Sequence, residues 1–536
     1  MGPVSAKGFG AWIAGAALAV ALAFVFAGQA RDDGFRAGHR GWVSAHTLAI
    51  AAKATPENGH VGYAVSLATP ASRDLYYFDR YPVFFAAGLG AAQRLLAPDK
   101  VAAIRVARQA MNVVYALTLV VAVLLLAQLG LRPEAAVAAA ALAGAGYGMV
   151  EYRDMVHFDQ PALLGIVVLL WSLARWYAGG STRVVLLATA FAVASGRGYA
   201  SYSVLGLWWI LEAARLFLEK EKGTARRVLF GAPTQACLLG IVLGVGFLGY
   251  NVVQEARARR IPVAEVGIVR SAVERLSLDR RFNEVNEKRL TWGRFLTSQG
   301  SNLGRSVLPW TRREPLRRHR EARAVVGLVV LLAAVAFAAT RTGPQRPAWL
   351  LACLAGPLWI LAMRNLAAFH PYTAIYLFPV LLTFFAAMLH RLPRRLATAA
   401  ALGACWLLVV ANEGMNHEIV RLGRGLREET RDMEGVARAL LPGDAVAVEG
   451  PLFRGVPLAL GFYLPGHDIV VEGPARLVIS RNEHFTGENL TPVNSRVFLF
   501  EAPEGYRARS SLARYHPDSI AADRKARSRE RKSGRR

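Results

Sequence analysis

Apolar residues along this chain gather in long, nearly uninterrupted blocks, separated by short polar connections and by three long polar stretches. Most blocks run about 17–25 residues, the length at which a helix crosses a ~30 Å hydrocarbon layer. The pattern predicts eleven membrane spans, at 9–28, 104–130, 134–150, 161–177, 183–195, 199–217, 228–250, 325–340, 347–363, 372–389 and 396–411. The block at 183–195 is the shortest and must lean on its neighbours. The first block is followed by "AGQA", which passes for a processing site, but the run is too long for a signal-peptide core and reads as an uncleaved span.

The polar stretches are 29–103, 251–324 and everything after 412. Within the first, "RDLYYFDRYPVFFAAGLGAAQRLL" (73–96) begins as a charged, aromatic lip and turns apolar at Pro82. The apolar part is too short and too polar to span. It reads as a helix over 81–96 lying in the membrane interface, with Tyr76, Tyr77, Phe78 and Tyr81 at headgroup level, where one end of the ring is apolar and the other wet. After 412 the texture changes. Residues 428–441 have the periodicity of an amphipathic helix, and "DAVAVEG", "HDIVVEG", "RLVIS" and "RVFLFEA" read as short strands. The organisation expected is a membrane domain over 1–412 with outer loops 29–103 and 251–324, a small extracytoplasmic α/β domain over 413–522, and a basic disordered tail over 523–536. There is neither an internal repeat nor a glycine-rich phosphate loop.

Composition sharpens this. The chain has 536 residues, 54% of them hydrophobic, above the 45–50% usual for soluble domains. A net charge of +26 would suggest nucleic acid on a soluble protein. Here the basic residues sit in loops and at the C-terminus, where anionic lipid headgroups or a lipid-linked anion meet them, and no nucleic acid partner is expected. Cys237, Cys353 and Cys405 all lie in apolar blocks, so neither a disulfide nor a metal–thiolate site is expected.

With the N-terminus inside, the short inner connections hold Lys7, Arg132, Arg175, Arg183, Arg215, Lys220, Lys222, Arg226, Arg227, Arg341, Arg346, Arg391, Arg394 and Arg395. The short outer ones hold only Arg153, Arg197 and Arg364. That asymmetry predicts a cytoplasmic N-terminus and an extracytoplasmic C-terminal domain, in a multi-pass cell (inner or plasma) membrane protein. The basic stretch "RREPLRRHREAR" falls outside, in a long loop where the charge rule is weak.

Ionisable groups are costly inside spans, so their position informs. They cluster at outer ends. The clearest group is "YGMVEYRDMVHFDQP" (147–161), carrying Glu151, Arg153, Asp154, His157 and Asp159. One reading is a solvated hairpin tip. The other is a site, because Asp159 stands at the start of a span, where the helix N-terminus favours a carboxylate. Arg153, Arg197 and Arg364, with His370 and Tyr372, offer a second theme. Arginine presents a fixed fork of donors to phosphate, although each alone also suits interfacial snorkelling.

In order, these features resemble integral-membrane glycosyltransferases of the GT-C fold, such as the protein O-mannosyltransferases and the bacterial transferases that add aminoarabinose to lipid A. The resemblance covers about 9–411. It rests on "YYFDRYPVFF", "HFDQPALL" and "HPYTAIYLFP", each weak alone and specific in sequence order. It implies a polytopic α-helical membrane protein with interfacial helices and a soluble α/β domain at its end. It also implies inverting sugar transfer from a polyprenyl-phosphate donor to an extracytoplasmic glycan, lipid or protein in the cell envelope.

Residue by residue, Asp159 matches the acidic position before the fourth span. Asp79 and Arg80 match the pair before the interfacial helix, and Arg197 matches a basic residue near the lipid phosphate. The family's carboxylate pair after the first span is missing. Its place is taken by "RAGHRGWVSAH", which offers His39 as a substitute base, with Asp32 and Asp33, a few residues earlier, as the alternative if the loop shifts. The resemblance thus offers Asp159, Asp79 and His39 as catalytic groups. Arg80, Arg153, His157, Arg197, Arg364, His370 and Tyr372 contact substrate, with Arg197, Arg153, His370 or a divalent metal meeting the leaving phosphate. Two other classes stay open. One is a lipid or sugar transporter or flippase, against which stands the lack of repeated halves. The other is a non-catalytic member of the fold.

Overall fold

The computed structural model describes residues 6–27, 35, 39–70, 72–77, 81–196, 198–218, 224–266, 291–311, 319–449, 459–480, 489–494 and 497–509. Asp32, Asp33, Asp79, Arg80, Arg197 and the side chain of His39 lie outside the described residues.

The helices in chain order are α1 (Ala6–Ala27), α2 (His39–Lys53), α3 (Val83–Leu96), α4 (Lys100–Gln128), α5 (Pro133–Ala145), α6 (Tyr147–Tyr152), α7 (Asp159–Tyr177), α8 (Thr182–Ala194), α9 (Ser201–Leu218), α10 (Thr224–Phe230), α11 (Ala232–Arg259), α12 (Trp292–Ser306), α13 (Arg320–Thr340), α14 (Arg346–Ala362), α15 (Arg364–Phe369), α16 (Phe378–Leu389), α17 (Arg394–Ala439) and α18 (Ala459–Tyr463). The strands are β1 (Tyr63–Ala68), β2 (Arg73–Tyr77), β3 (Ala445–Val448), β4 (Asp468–Val470), β5 (Glu472–Pro474), β6 (Leu477–Ser480), β7 (Asn489–Asn494), β8 (Val497–Glu501) and β9 (Arg507–Arg509).

Six stretches among the described residues are long and apolar enough to cross a membrane: Lys100–Gln128, Asp159–Tyr177, Thr224–Arg259, Arg320–Thr340, Pro371–Leu389 and Arg394–Arg421. Gly10–Phe26, Val83–Leu96, Pro133–Ala145, Thr182–Ala194 and Arg346–Ala362 are shorter apolar helices. The chain is a multi-pass membrane protein. The helices pack around a core drawn from α1, α4, α5, α7, α14, α16 and α17. Alanine-rich α5 is buried along almost its whole length, since side chains that small let neighbouring helices approach from every side. Its buried Glu134 is met by Arg394 of α17 at 3.0 Å.

Several elements differ from the sequence expectation. The block expected at 134–150 breaks at Gly146, which is extended and bridges Pro309. The Trp310 N–H takes the Ala145 carbonyl at 2.9 Å, so the chain after α12 captures a group the helix would have used. The 372–389 span opens with a 3-10 turn at Pro371–Leu377 before α16. The last expected span and the amphipathic helix at 428–441 are one 46-residue helix, α17. Tyr76 and Tyr77, expected at headgroup level beside an interfacial helix, belong to β2. The helix after them does form, as α3, with Pro82 at its N-cap.

The first polar stretch is not separate from the C-terminal one. A seven-stranded sheet runs in the order β2-β1-β4-β3-β6-β8-β7. β1 is antiparallel to β2 and parallel to β4, pairing Ser66 with Asp468 and Ala68 with Val470. β3 runs parallel to β4 and β6, and β8 is antiparallel to β6 and β7. Two polar stretches hundreds of residues apart therefore build one sheet. A second apolar core, joining α2, the first half of α4 and the end of α17 to β1, β3, β4 and β6, ties it to the helices.

Candidate functional site

The acidic turn between α5 and α7 is buried, which sets aside the solvated hairpin tip. Glu151, Arg153, Asp154, His157 and Asp159 are all at least nine-tenths inaccessible. Burying so many charged groups is tolerable only where each is met by a partner, and the partners come from across the molecule. Glu151 accepts from the Trp310 indole N–H at 2.7 Å. Arg153 donates to the side-chain oxygens of Asn412 and Asn416, one turn apart on α17. Asp154 lies 4.0 Å from the Arg108 guanidinium of α4. The Val156 N–H donates to Ser44 Oγ of α2 at 3.2 Å.

Two residues on, the turn enters α7 and the chemistry concentrates. His157 Nδ1 and Asp159 Oδ2 are in close contact. The Tyr376 hydroxyl donates to Asp159 Oδ1 at 2.6 Å. Asp159 is the first residue of α7, so its carboxylate also sits at the positive end of that helix. With Nδ1 against the carboxylate, Nε2 is the ring nitrogen turned away from it. A carboxylate that orients an imidazole is the arrangement in which histidine accepts a proton from a substrate hydroxyl.

Aromatic rings wall the pair. Tyr372 lies 5.1 Å from His157 and 5.1 Å from His370, the latter stacked at 27°. Tyr152 lies 6.4 Å from Tyr372. Tyr81 also meets the His157 ring edge-on at 6.3 Å and the Phe158 ring at 4.6 Å. Such walls suit a ligand with a flat, weakly polar face.

Of the residues picked from sequence, the fold thus brings Asp159, His157, Tyr372 and His370 together. Arg153 is next door but is engaged by α17. Arg364 lies at the start of α15 with its guanidinium 4.5 Å from the Trp292 ring of α12. Asp79, Arg80, Arg197 and the His39 side chain are outside the described residues, though the helix that His39 opens reaches the turn through Ser44. Sequence reasoning passed over Tyr376, Asn412, Asn416, Trp310 and Ser44. Tyr376 had a signal, since it stands four residues after Tyr372 in the quoted "HPYTAIYLFP". Among the described residues no group of three or more His, Cys, Asp and Glu is placed to hold a metal ion.

The chain aligns with the structure of ArnT from Cupriavidus metallidurans bound to undecaprenyl phosphate over 94% of this chain and 99% of that one, with a TM-score of 0.52 and 13% identity. It also aligns with the Archaeoglobus fulgidus oligosaccharyltransferase tethered to an acceptor peptide, over 85% of this chain and 63% of that one, with a TM-score of 0.51 and 12% identity. The architecture is the GT-C fold of membrane glycosyltransferases. No protein-family profile matches the sequence, and no curated protein does.

Proposed function

We propose that this chain is a membrane glycosyltransferase that moves a sugar from a polyprenyl-phosphate donor to an extracytoplasmic acceptor. The observation that carries the reading is the buried His157–Asp159–Tyr376 arrangement at the N-terminus of α7, walled by Tyr81, Tyr372 and His370, in a chain with the GT-C fold. In this reading the acceptor hydroxyl gives its proton to the His157–Asp159 pair. Its oxygen bonds to the anomeric carbon as the bond from that carbon to the lipid phosphate breaks, with inversion. The lipid phosphate leaves as an anion, and Arg364, Arg197 and Arg80 stabilise its charge. His370 and Tyr372 stack on the sugar. Asp79 and His39 are alternative bases. Arg153 acts by anchoring the turn rather than by touching phosphate.

The reading includes eleven spans, a cytoplasmic N-terminus, and the sheet and site on the outer side of the cell membrane. It also keeps the division into a membrane domain over 1–412, an extracytoplasmic α/β domain over 413–522 and a basic tail over 523–536, with α17 running through the first boundary.

The test is sugar transfer by the purified protein in lipid, with a polyprenyl-phosphate sugar as donor. General-base removal costs about 10²–10⁴-fold, so Asp159→Asn is expected to fall by that order in kcat while remaining folded. Full activity in Asp159→Asn would remove Asp159 from the chemistry. One observation favours a second reading, a non-catalytic member of the fold: Asp159 has no exposed surface, and both its oxygens have partners inside the protein. Sugar turnover by the wild-type protein would decide against that reading.

A further inference from the structure

Asn251 lies in the apolar helix α11, buried, far along the chain from every residue of the site. A buried polar amide is costly and calls for a partner. Its Nδ2 donates to the Tyr81 backbone carbonyl at 2.7 Å, across 170 residues of sequence. Tyr81 has reason to need this. It precedes Pro82, which is the N-cap of α3, so its carbonyl falls one residue before the first that the helix ladder uses. A buried carbonyl without a donor would cost free energy. Residues before proline are also restricted to extended backbone, which leaves little freedom to turn that carbonyl elsewhere.

The ring of the same residue borders the site, edge-on to His157 at 6.3 Å and against Phe158 at 4.6 Å. The end of α11 grips the first polar stretch at two further points. The Tyr250 hydroxyl donates to the Gly59 carbonyl at 2.9 Å, and Arg259 pairs with Asp74 at 2.9 Å.

We infer that Asn251 is a positioning residue for the site: by holding the Tyr81 carbonyl it fixes the aromatic wall facing His157. The inference rests on the glycosyltransferase reading for its kinetic arm and on geometry alone for its second arm. Leucine has the branching and heavy-atom count of asparagine, with bulkier methyl ends, but it cannot donate. Glutamine donates but is longer.

If the amide hydrogen bond is what matters, Asn251→Leu still folds and purifies, with a lowered thermal midpoint in detergent because the buried Tyr81 carbonyl loses its donor. Its kcat falls on the order of tenfold, the scale of a small misplacement of a reacting partner, with KM little changed, and Asn251→Gln recovers part of the loss. If Asn251 only fills space, the order reverses, with leucine tolerated and glutamine harmful, and the inference falls.

The second arm needs no activity. A cysteine at position 81 (Tyr81→Cys) is expected to resist a water-soluble maleimide when Asn251 is present and to label at least several-fold faster with Asn251→Leu, both read over the Tyr81-containing parent. Equal labelling overturns the inference. Absence of wild-type sugar transfer, with labelling that responds to Asn251, would overturn the glycosyltransferase reading and leave the positioning intact.

Discussion

Arg153 has no exposed surface, and its guanidinium donates to Asn412 and Asn416 at once. A buried cation is worth its desolvation only when its donors are used. Arginine uses them as a planar fork, which matches two acceptors one helical turn apart. This changes what the residue can do. In the sequence it reads as a phosphate ligand in an outer turn, whereas in the fold it fastens that turn to α17. Replacing it with methionine leaves two buried amide oxygens without their donor. The expected cost is about 3 kcal/mol of stability, read as a fall in thermal midpoint in detergent. Lysine is expected to recover little of it, because a single ammonium cannot reproduce the fork. A lysine variant as stable as the wild type would mean that charge alone, rather than the forked geometry, holds the turn.

The same contrast between local and distant information runs through the elements. α12 and α13 pack closely through glycines. A Cβ on Gly327 would come within 2.0 Å of the Gly300 carbonyl oxygen, and one on Gly304 within 2.0 Å of the Arg323 carbonyl oxygen. Backbone cannot yield as a flexible side chain can, so Gly327→Ala must push the helices apart, at about 1–3 kcal/mol. α12 in turn supports α15, which follows α14: Gln299 Nε2 donates to the Ala367 carbonyl at 3.2 Å and Trp292 lies beneath Arg364. Gly327→Ala is therefore expected to lower the thermal midpoint and, in the transfer assay, to weaken donor binding more than it slows turnover. A variant with wild-type midpoint and KM would show that the glycine contact is dispensable.

Hydropathy made spans such as α4, α11 and α13 legible because burial in lipid is a property of each segment alone. It missed α12, whose mean polarity hides an apolar stripe at Phe295 and Leu303 beside Gly300 and Gly304. The strands after 440 were legible from alternation and turn residues. That β1 and β2 join them was not, because pairing between Leu67 and Ile469 leaves no trace in either segment. For the site, the sequence offered Asp159, His157, His370 and Tyr372, since costly polar residues at span ends stand out. It did not offer Tyr376 or Ser44, which look like ordinary helix residues until the fold brings them to the turn.

At the scale of the whole molecule, the sheet is the joint between the halves of the chain, and Lys53 is set into it. Its ammonium donates to the Ala64 carbonyl of β1 at 3.1 Å and to the Gly461 carbonyl of α18 at 2.7 Å, with Tyr63 beneath it at 4.4 Å. One side chain thus holds a strand from the first polar stretch to a helix from the last. Burial, and secondarily the charge of Lys100, push its pKa down to about 7 from 10.5. Below pH 7 the lysine is charged in both folded and unfolded chains, and the folded state bears the whole desolvation penalty. Between about 7 and 10.5 the unfolded chain binds a proton that the folded chain does not. Stability therefore rises with pH across that window, by at most about 1.4 kcal/mol per pH unit from this group. A neutral amine keeps two N–H donors, enough for both carbonyls. The thermal midpoint in detergent is expected to climb between pH 7 and 9 in the wild type. In Lys53→Met the climb should be shallower, even though the variant starts lower for want of a donor to Ala64 and Gly461. Equal slopes in the two proteins would place the titration on some other group and leave Lys53 as a charged clasp at neutral pH.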